Sequence, residues 1–216
     1  MWGTYSAVYS LMSDAPFVRE LRQRHVRALQ GLDTVLDAGC GPGLITAELV
    51  ESRVRRVIGT DSDSNMLARA ADRLRHTQNV LLYAADVHSL PFHDSFFDGY
   101  LSNNVLYYLE DADKAIAEIM RVTKQGGIIS IASARPCNNV EVLLEALLFH
   151  LKSKGVEVPE EEWETFAHSN RKLQAHYRNL YEPEEISALL RKHGCSVVLK
   201  ADTCYLDQNF FVVARR

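Results

Sequence analysis

The chain has 216 residues, of which 47% are hydrophobic and 24% charged, with 24 Lys and Arg set against 28 Asp and Glu for a net charge of −4. That length and balance suit one ordinary globular core and exclude a disordered or fibrous chain. A mildly acidic chain whose basic residues do not collect in a block also disfavours nucleic acid as a partner, and Arg53, Arg55 and Arg56 read as a solvated helix end.

The four cysteines, Cys40, Cys137, Cys195 and Cys204, are far apart and form no CxxC pair, so they read as reduced thiols with no metal site. No basic stretch followed by an apolar run opens the chain, and no apolar segment nears the ~20 residues that cross a bilayer. The expectation is a cytoplasmic protein with no membrane partner.

Residues 1–30 read as a Tyr-containing leader and an amphipathic helix, with Phe17, Leu21, His25 and Leu29 at four-residue steps on one face. A strand at 34–38 breaks into a Gly-rich turn and a helix at 44–52. A strand at 56–60, a helix at 64–75 and a strand at 80–84 follow. Then come a strand around 97–101, a helix at 111–122, a break at Gly126 and Gly127, and an apolar strand at 128–132. Short apolar strands alternating with amphipathic helices predict a mostly parallel sheet covered on both faces.

Residues 138–180 interrupt the rhythm with a helix through Leu143, Leu144, Leu147 and Leu151, an acidic stretch at 160–164 and a polar helix. They read as a helical insertion in a single domain spanning 1–216. A helix at 183–193, stopped by Gly194, precedes strands at 197–201 and 210–214 that can pair antiparallel.

Chemistry concentrates in VLDAGCGPG, residues 35–43. A Gly-rich turn between a parallel strand and a helix lets backbone approach a ligand closely. The spacing is GxGxG, not the GxGxxG of dinucleotide binders, and Asp37 stands inside the strand where those proteins keep an apolar residue. A buried carboxylate is costly without a partner, so Asp37 calls for a cation such as the ammonium of a bound amino acid, or else caps nearby amides.

Asp61 ends the second strand, where an acidic side chain can accept from both hydroxyls of a ribose. Capping of the next helix falls to Asp63 or Ser64. Met66 can lay its thioether on an adenine face or serve as core. Asp86 in AADVHSLPF can accept an exocyclic amine while the Val87 amide reads a ring nitrogen. Asn103 in LSNNVLYYL ends the fourth strand at the central crevice.

Together, VLDAGCGPG, VIGTDSDSNML, AADVHSLPF, SFFDGYLSNNVLYYL and the VTKQGG turn before IISIA resemble the class I S-adenosylmethionine-dependent methyltransferases, most closely their small-molecule and ubiquinone-pathway-like branch. The resemblance implies a doubly wound, Rossmann-like α/β fold of seven strands in the order 3-2-1-4-5-7-6, strand seven antiparallel. It implies S-adenosylmethionine as cofactor and S-adenosylhomocysteine as product. Asp37, Gly39 and Asn103 then lie near the methionine part, Asp61 on the ribose, and Asp86 and Val87 on the adenine. Cys40, Gly41, Ser62 and Met66 complete the expected cofactor set.

The expected reaction is methyl transfer to an oxygen or nitrogen of a small organic acceptor, with carbon left open, by a monomer or homodimer. Where relatives often carry His, this chain has Tyr107 and Tyr108. The candidate acid–base residues are therefore Tyr107 and, in the insertion, His150, His168 and His176. Phe149, Trp163, Phe166, Tyr177 and Tyr181 predict an acceptor pocket built by 138–180, and Tyr5 and Tyr9 a lid within 1–30. A noncatalytic binding or regulatory protein of the same fold is the alternative. A nucleotide-dependent oxidoreductase is disfavoured by GxGxG and Asp37.

Overall fold

The computed structural model describes residues 12–216, so Tyr5 and Tyr9 lie outside the described residues. One seven-stranded sheet organises the chain, formed by β1 (Thr34–Ala38), β2 (Arg56–Asp61), β3 (Val80–Ala84), β4 (Phe97–Asn103), β5 (Thr123–Ala134), β6 (Val197–Cys204) and β7 (Asn209–Arg215). Their order is β3-β2-β1-β4-β5-β7-β6, as expected. β1 to β5 pair in parallel, while β7 runs antiparallel to both β5 and β6.

Helices cover both faces because the central strands are apolar on both sides. All five residues of β1 are buried, Asp37 among them. On one face Val35 and Leu101 pack with α1 (Pro16–Leu29) and α2 (Leu44–Glu51) through Leu29, Ile45 and Leu49. On the other, Leu36 and Tyr100 pack with α4 (Ala112–Val122) and α7 (Pro183–Lys192) through Ile116, Ile119, Ile186 and Leu190. The remaining helix of the alternating series, α3 (Ser64–Arg73), follows β2.

Two local expectations are corrected. Gly126 and Gly127 do not break the chain before a strand at 128; β5 begins at Thr123 and contains them. Phe97 pairs with Thr123 and Gly99 with Ile128, so the glycines lie in a bulge, where Gly126 takes φ +77°. The acidic residues 160–164 are the opening of α6 (Glu160–Gln174), where Glu160, Glu161 and Glu162 face the positive end of the helix dipole.

The segment between β5 and α7 holds α5 (Val140–Ser153) and α6. They share a small core of Val140, Leu144, Leu147, Leu151, Phe166 and Ala167 with Ala15 at the start of α1. Trp163 packs there too, Tyr181 packs on the main core, and Phe149 is 76% exposed. Four of the five aromatics expected to line a pocket are thus spent on packing or left on the surface. An amphipathic helix pair uses its large side chains first to bury its own seam. Among the described residues no helix is long and apolar enough to cross a membrane.

Candidate active site

The C-terminal ends of β1, β2 and β4 and the loop after β3 open on one cavity of about 790 Å³, a volume suited to an organic ligand. Every expected cofactor residue lines it: Asp37, Gly39, Cys40, Gly41, Asp61, Ser62, Met66, Asp86, Val87 and Asn103. Among the described residues no cluster of His, Cys, Asp and Glu could hold a metal ion.

The turn after β1 is held by backbone chemistry. Gly39 and Cys40 N–H both donate to the Thr60 carbonyl, at 2.7 and 2.9 Å, which ties the turn to β2. Gly39 has φ +75°, and a Cβ there would stand 2.2 Å from Val105 Cγ2, so both conformation and space demand glycine. Gly41 N–H donates to Asp61 Oδ2 and Asp63 N–H to Asp61 Oδ1, each at 2.9 Å. Two amides thereby orient the Asp61 carboxylate. Asp63, not Asp61, caps α3, accepting from Asn65 and Met66 N–H. Asp61 stays committed to the cavity.

Asp37 is 2% exposed and accepts from the Thr46 hydroxyl at 2.7 Å. Burial pushes its carboxyl up to about 7, and the neighbouring charge of Asp61 pushes the same way. Both acids line a cavity in which no ion pair joins Asp37 to a cation among the described residues. A ligand ammonium fits that deficit. Cys40 is also buried, and desolvation beside these two acids holds its thiol protonated.

At the other end of the cofactor set, Asp86 is exposed and its Oδ1 accepts from the backbone and Nδ1 of His88, at 2.8 and 2.7 Å. The His88 amide is the main reason its carboxyl is held below the usual range. Oδ2 remains for an exocyclic amine, with Val87 buried beside it and half-buried Met66 across the cavity wall.

Beyond Asn103 the wall is supplied by Asn104, Asn209, Tyr205 and three tyrosines in contact. Asn209 Nδ2 donates to Asn104 Oδ1 at 2.6 Å, and Asn104 is held at φ +60°. Tyr107 packs tilted against Tyr177 at 4.0 Å between ring centroids and edge-on against Tyr108 at 4.3 Å. Burial first, then these two phenols, pushes the Tyr107 hydroxyl well above its ordinary range. His176 lines the same end; its Nδ1–H donates to the Lys172 carbonyl at 2.7 Å, which leaves Nε2 as the acceptor of the neutral ring.

His150 and His168 are not part of the wall. His150 sits in the last turn of α5 and His168 on the exposed side of α6, so helical phase carries them away from the cavity. Conversely, Arg22, His88, Asn104, Tyr205 and Asn209 line the site without having been singled out, and Tyr108 without having been made a candidate. Asn104 and Tyr108 adjoin residues that were, but Tyr205 and Asn209 arrive from the final hairpin, which sequence order does not announce.

Residues 36–131 match the methyltransferase domain family. An uncharacterized methyltransferase of Schizosaccharomyces pombe is 33% identical over 111 residues, covering 47% of this chain and 40% of that protein. A ubiquinone/menaquinone biosynthesis C-methyltransferase of Vibrio vulnificus is 29% identical over 149 residues, covering 66% and 57%. The chain spans 28% to 57% of the length of the curated relatives it matches. The crystal structure of the N-methyltransferase NodS from Bradyrhizobium japonicum with S-adenosyl-L-homocysteine superposes with a TM-score of 0.64 over 99% of this chain and 98% of that one, at 19% identity, which bears on fold. Residues 36–131 are thus similar to a methyltransferase domain, and the strand order of the sheet is the one expected for the class I S-adenosylmethionine-dependent methyltransferases.

Proposed function

We propose that the protein binds S-adenosylmethionine along β1, β2 and the loop after β3, and methylates a small organic acceptor held between Asn103 and α6. The observation that carries this reading is the single cavity in which Asp37, Asp61, Asp86 and Asn103 meet, continuous with a chamber of tyrosines. Bound S-adenosylmethionine supplies an electrophilic methyl group on a sulfonium.

The chain's own residues do the rest. Asp37 pairs with the ammonium of the amino-acid portion, Asp61 accepts from the ribose hydroxyls, and Asp86 with the Val87 amide reads the adenine. Asn103 faces the carboxylate of the same amino-acid portion, and the tyrosines position the acceptor in line with the methyl carbon and exclude water. A hydroxyl, an amine and a ring carbon all lose one proton as they gain a methyl group, and His176 Nε2 is the base offered for it. Residues 138–180 supply the acceptor wall through Asn170, Leu173, His176 and Tyr177. The name of the Vibrio relative adds carbon to the acceptor atoms worth testing.

The test is calorimetric titration with S-adenosylmethionine and S-adenosylhomocysteine, with NADH as control and Asp61→Ala as a second protein. Micromolar binding of the first two, weakened in the variant, supports the reading and leads to a radiolabelled methyl screen of phenols, amines and quinols. Binding of NADH alone overturns it.

A further inference from the structure

His25 lies in the middle of α1, is wholly buried, and is not part of the cavity wall. Its ring meets Phe211 edge-on at 5.1 Å, its Nδ1 lies 2.8 Å from Ser130 Oγ on β5, and its Nε2 lies 3.3 Å from Asn103 Oδ1. Ser130 is wholly buried as well.

A count of protons fixes the direction of both bonds. The Ser130 hydroxyl hydrogen finds its acceptor, among the described residues, at His25 Nδ1, and the great majority of buried hydroxyls have a partner. Nδ1 is then the bare nitrogen. Burial lowers the imidazole to about 3, so the ring is neutral and Nε2 carries its one proton. That proton must be donated, and the side chain opposite must offer oxygen. Asn103 therefore turns Oδ1 to His25 and its two Nδ2 hydrogens the other way, at the end of β4 beside the glycine turn.

We infer that His25 is a positioning residue: with Ser130 behind it, it sets the orientation of the Asn103 amide, so that the cavity receives an N–H donor and not a carbonyl. The occupant chemistry that fits is an anionic or carbonyl oxygen, which in the proposed reading is the carboxylate of the cofactor's amino-acid portion. The inference rests on that reading for its ligand, but not for its proton arrangement.

Two measurements separate them. In the ligand-free protein, nitrogen-15 NMR of the His25 ring should show the Nε2–H tautomer, and Ser130→Ala should convert it to a mixture. A resting Nδ1–H tautomer overturns the inference whatever the protein binds. With S-adenosylhomocysteine, His25→Leu should weaken binding about tenfold, His25→Gln, which keeps a donor and an acceptor, should recover part of it, and Ser130→Ala should lose severalfold without touching the ligand. In an Asn103→Ala background the His25 and Ser130 substitutions should cost nothing further. Equal losses in both backgrounds, or unchanged affinity in a folded Ser130→Ala protein, overturn it. Should the unaltered protein fail to bind S-adenosylhomocysteine while the Nε2–H tautomer is present, the proposed function falls and the proton arrangement stands.

Discussion

Thr46 Oγ1 donates to Asp37 Oδ2 at 2.7 Å, so a carboxylate in the middle of the sheet is met by a neutral hydroxyl and not by a charge. Its carboxyl sits up near 7, against about 4 in an unfolded chain. The folded protein thus holds this proton more tightly than the unfolded one. The associated stability is full below about pH 4 and is lost as pH rises through 7. Asp37→Asn removes that loss and should raise the stability of the ligand-free protein at pH 8, by up to about 4 kcal/mol. Binding should behave oppositely. A ligand ammonium needs the ionised acid, so S-adenosylhomocysteine should bind more tightly as pH rises through about 7, and Asp37→Asn should bind weakly with that dependence flattened. Thermal melts and titrations at pH 6, 7 and 8 check both signs.

Gly39→Ala should damage the turn for two separable reasons. The new methyl group overlaps Val105 Cγ2, and φ +75° is unfavourable for alanine. A loss of about 1–3 kcal/mol is expected, with weaker cofactor binding. Val105→Ala removes only the steric part, so the double variant should recover some stability but not all. Denaturant titration of the four proteins checks the cycle.

Neighbouring acids at the end of β2 should divide their labour. Asp61→Ala strips the Gly41 and Asp63 amides of their acceptor and takes away the proposed ribose contact, so cofactor affinity should fall by about a hundredfold. Asp63→Ala removes the cap of α3 and should cost about 1 kcal/mol of stability while affinity changes little. Equal affinity losses in the two variants would deny the distinction.

The difference between what sequence order reveals and what it hides is visible in these residues. Asp37, Asp61, Asp86 and Asn103 each close a strand or follow one directly, and parallel strands must deliver their C-terminal ends to the same edge. Strand order and the proposed cofactor side of the cavity follow from that regularity. The proposed acceptor side is assembled otherwise: Tyr177 comes from beyond α6 and Tyr205 from the β6–β7 hairpin, brought together by packing that has no period along the chain. Trp163 and Phe166 look equally suited to a pocket but close the seam of α5 and α6 instead. His25 occupies an apolar face at four-residue spacing, where only its three-dimensional neighbours distinguish a positioning side chain from filler.

Tyr107 and His176 both line the proposed acceptor chamber, yet their chemistry differs and kinetics should separate them. Burial against Tyr177 and Tyr108 holds the Tyr107 phenol protonated throughout the working range, so it can donate a hydrogen bond but not remove a proton. Tyr107→Phe should therefore lower kcat/KM for the acceptor by about tenfold and leave the shape of the pH profile unchanged. His176 has its Nδ1–H engaged by the Lys172 carbonyl, so Nε2 is the nitrogen that accepts in the neutral ring. His176→Asn should leave S-adenosylhomocysteine affinity intact while kcat falls by about a hundredfold for any acceptor that must lose its proton. The discriminating measurement is the acceptor series: the His176→Asn defect should shrink for phenols that are already ionised at the assay pH, whereas the Tyr107→Phe defect should not. A His176→Asn enzyme equally slow on ionised phenols would remove the histidine from the proton's path and leave it a contact residue.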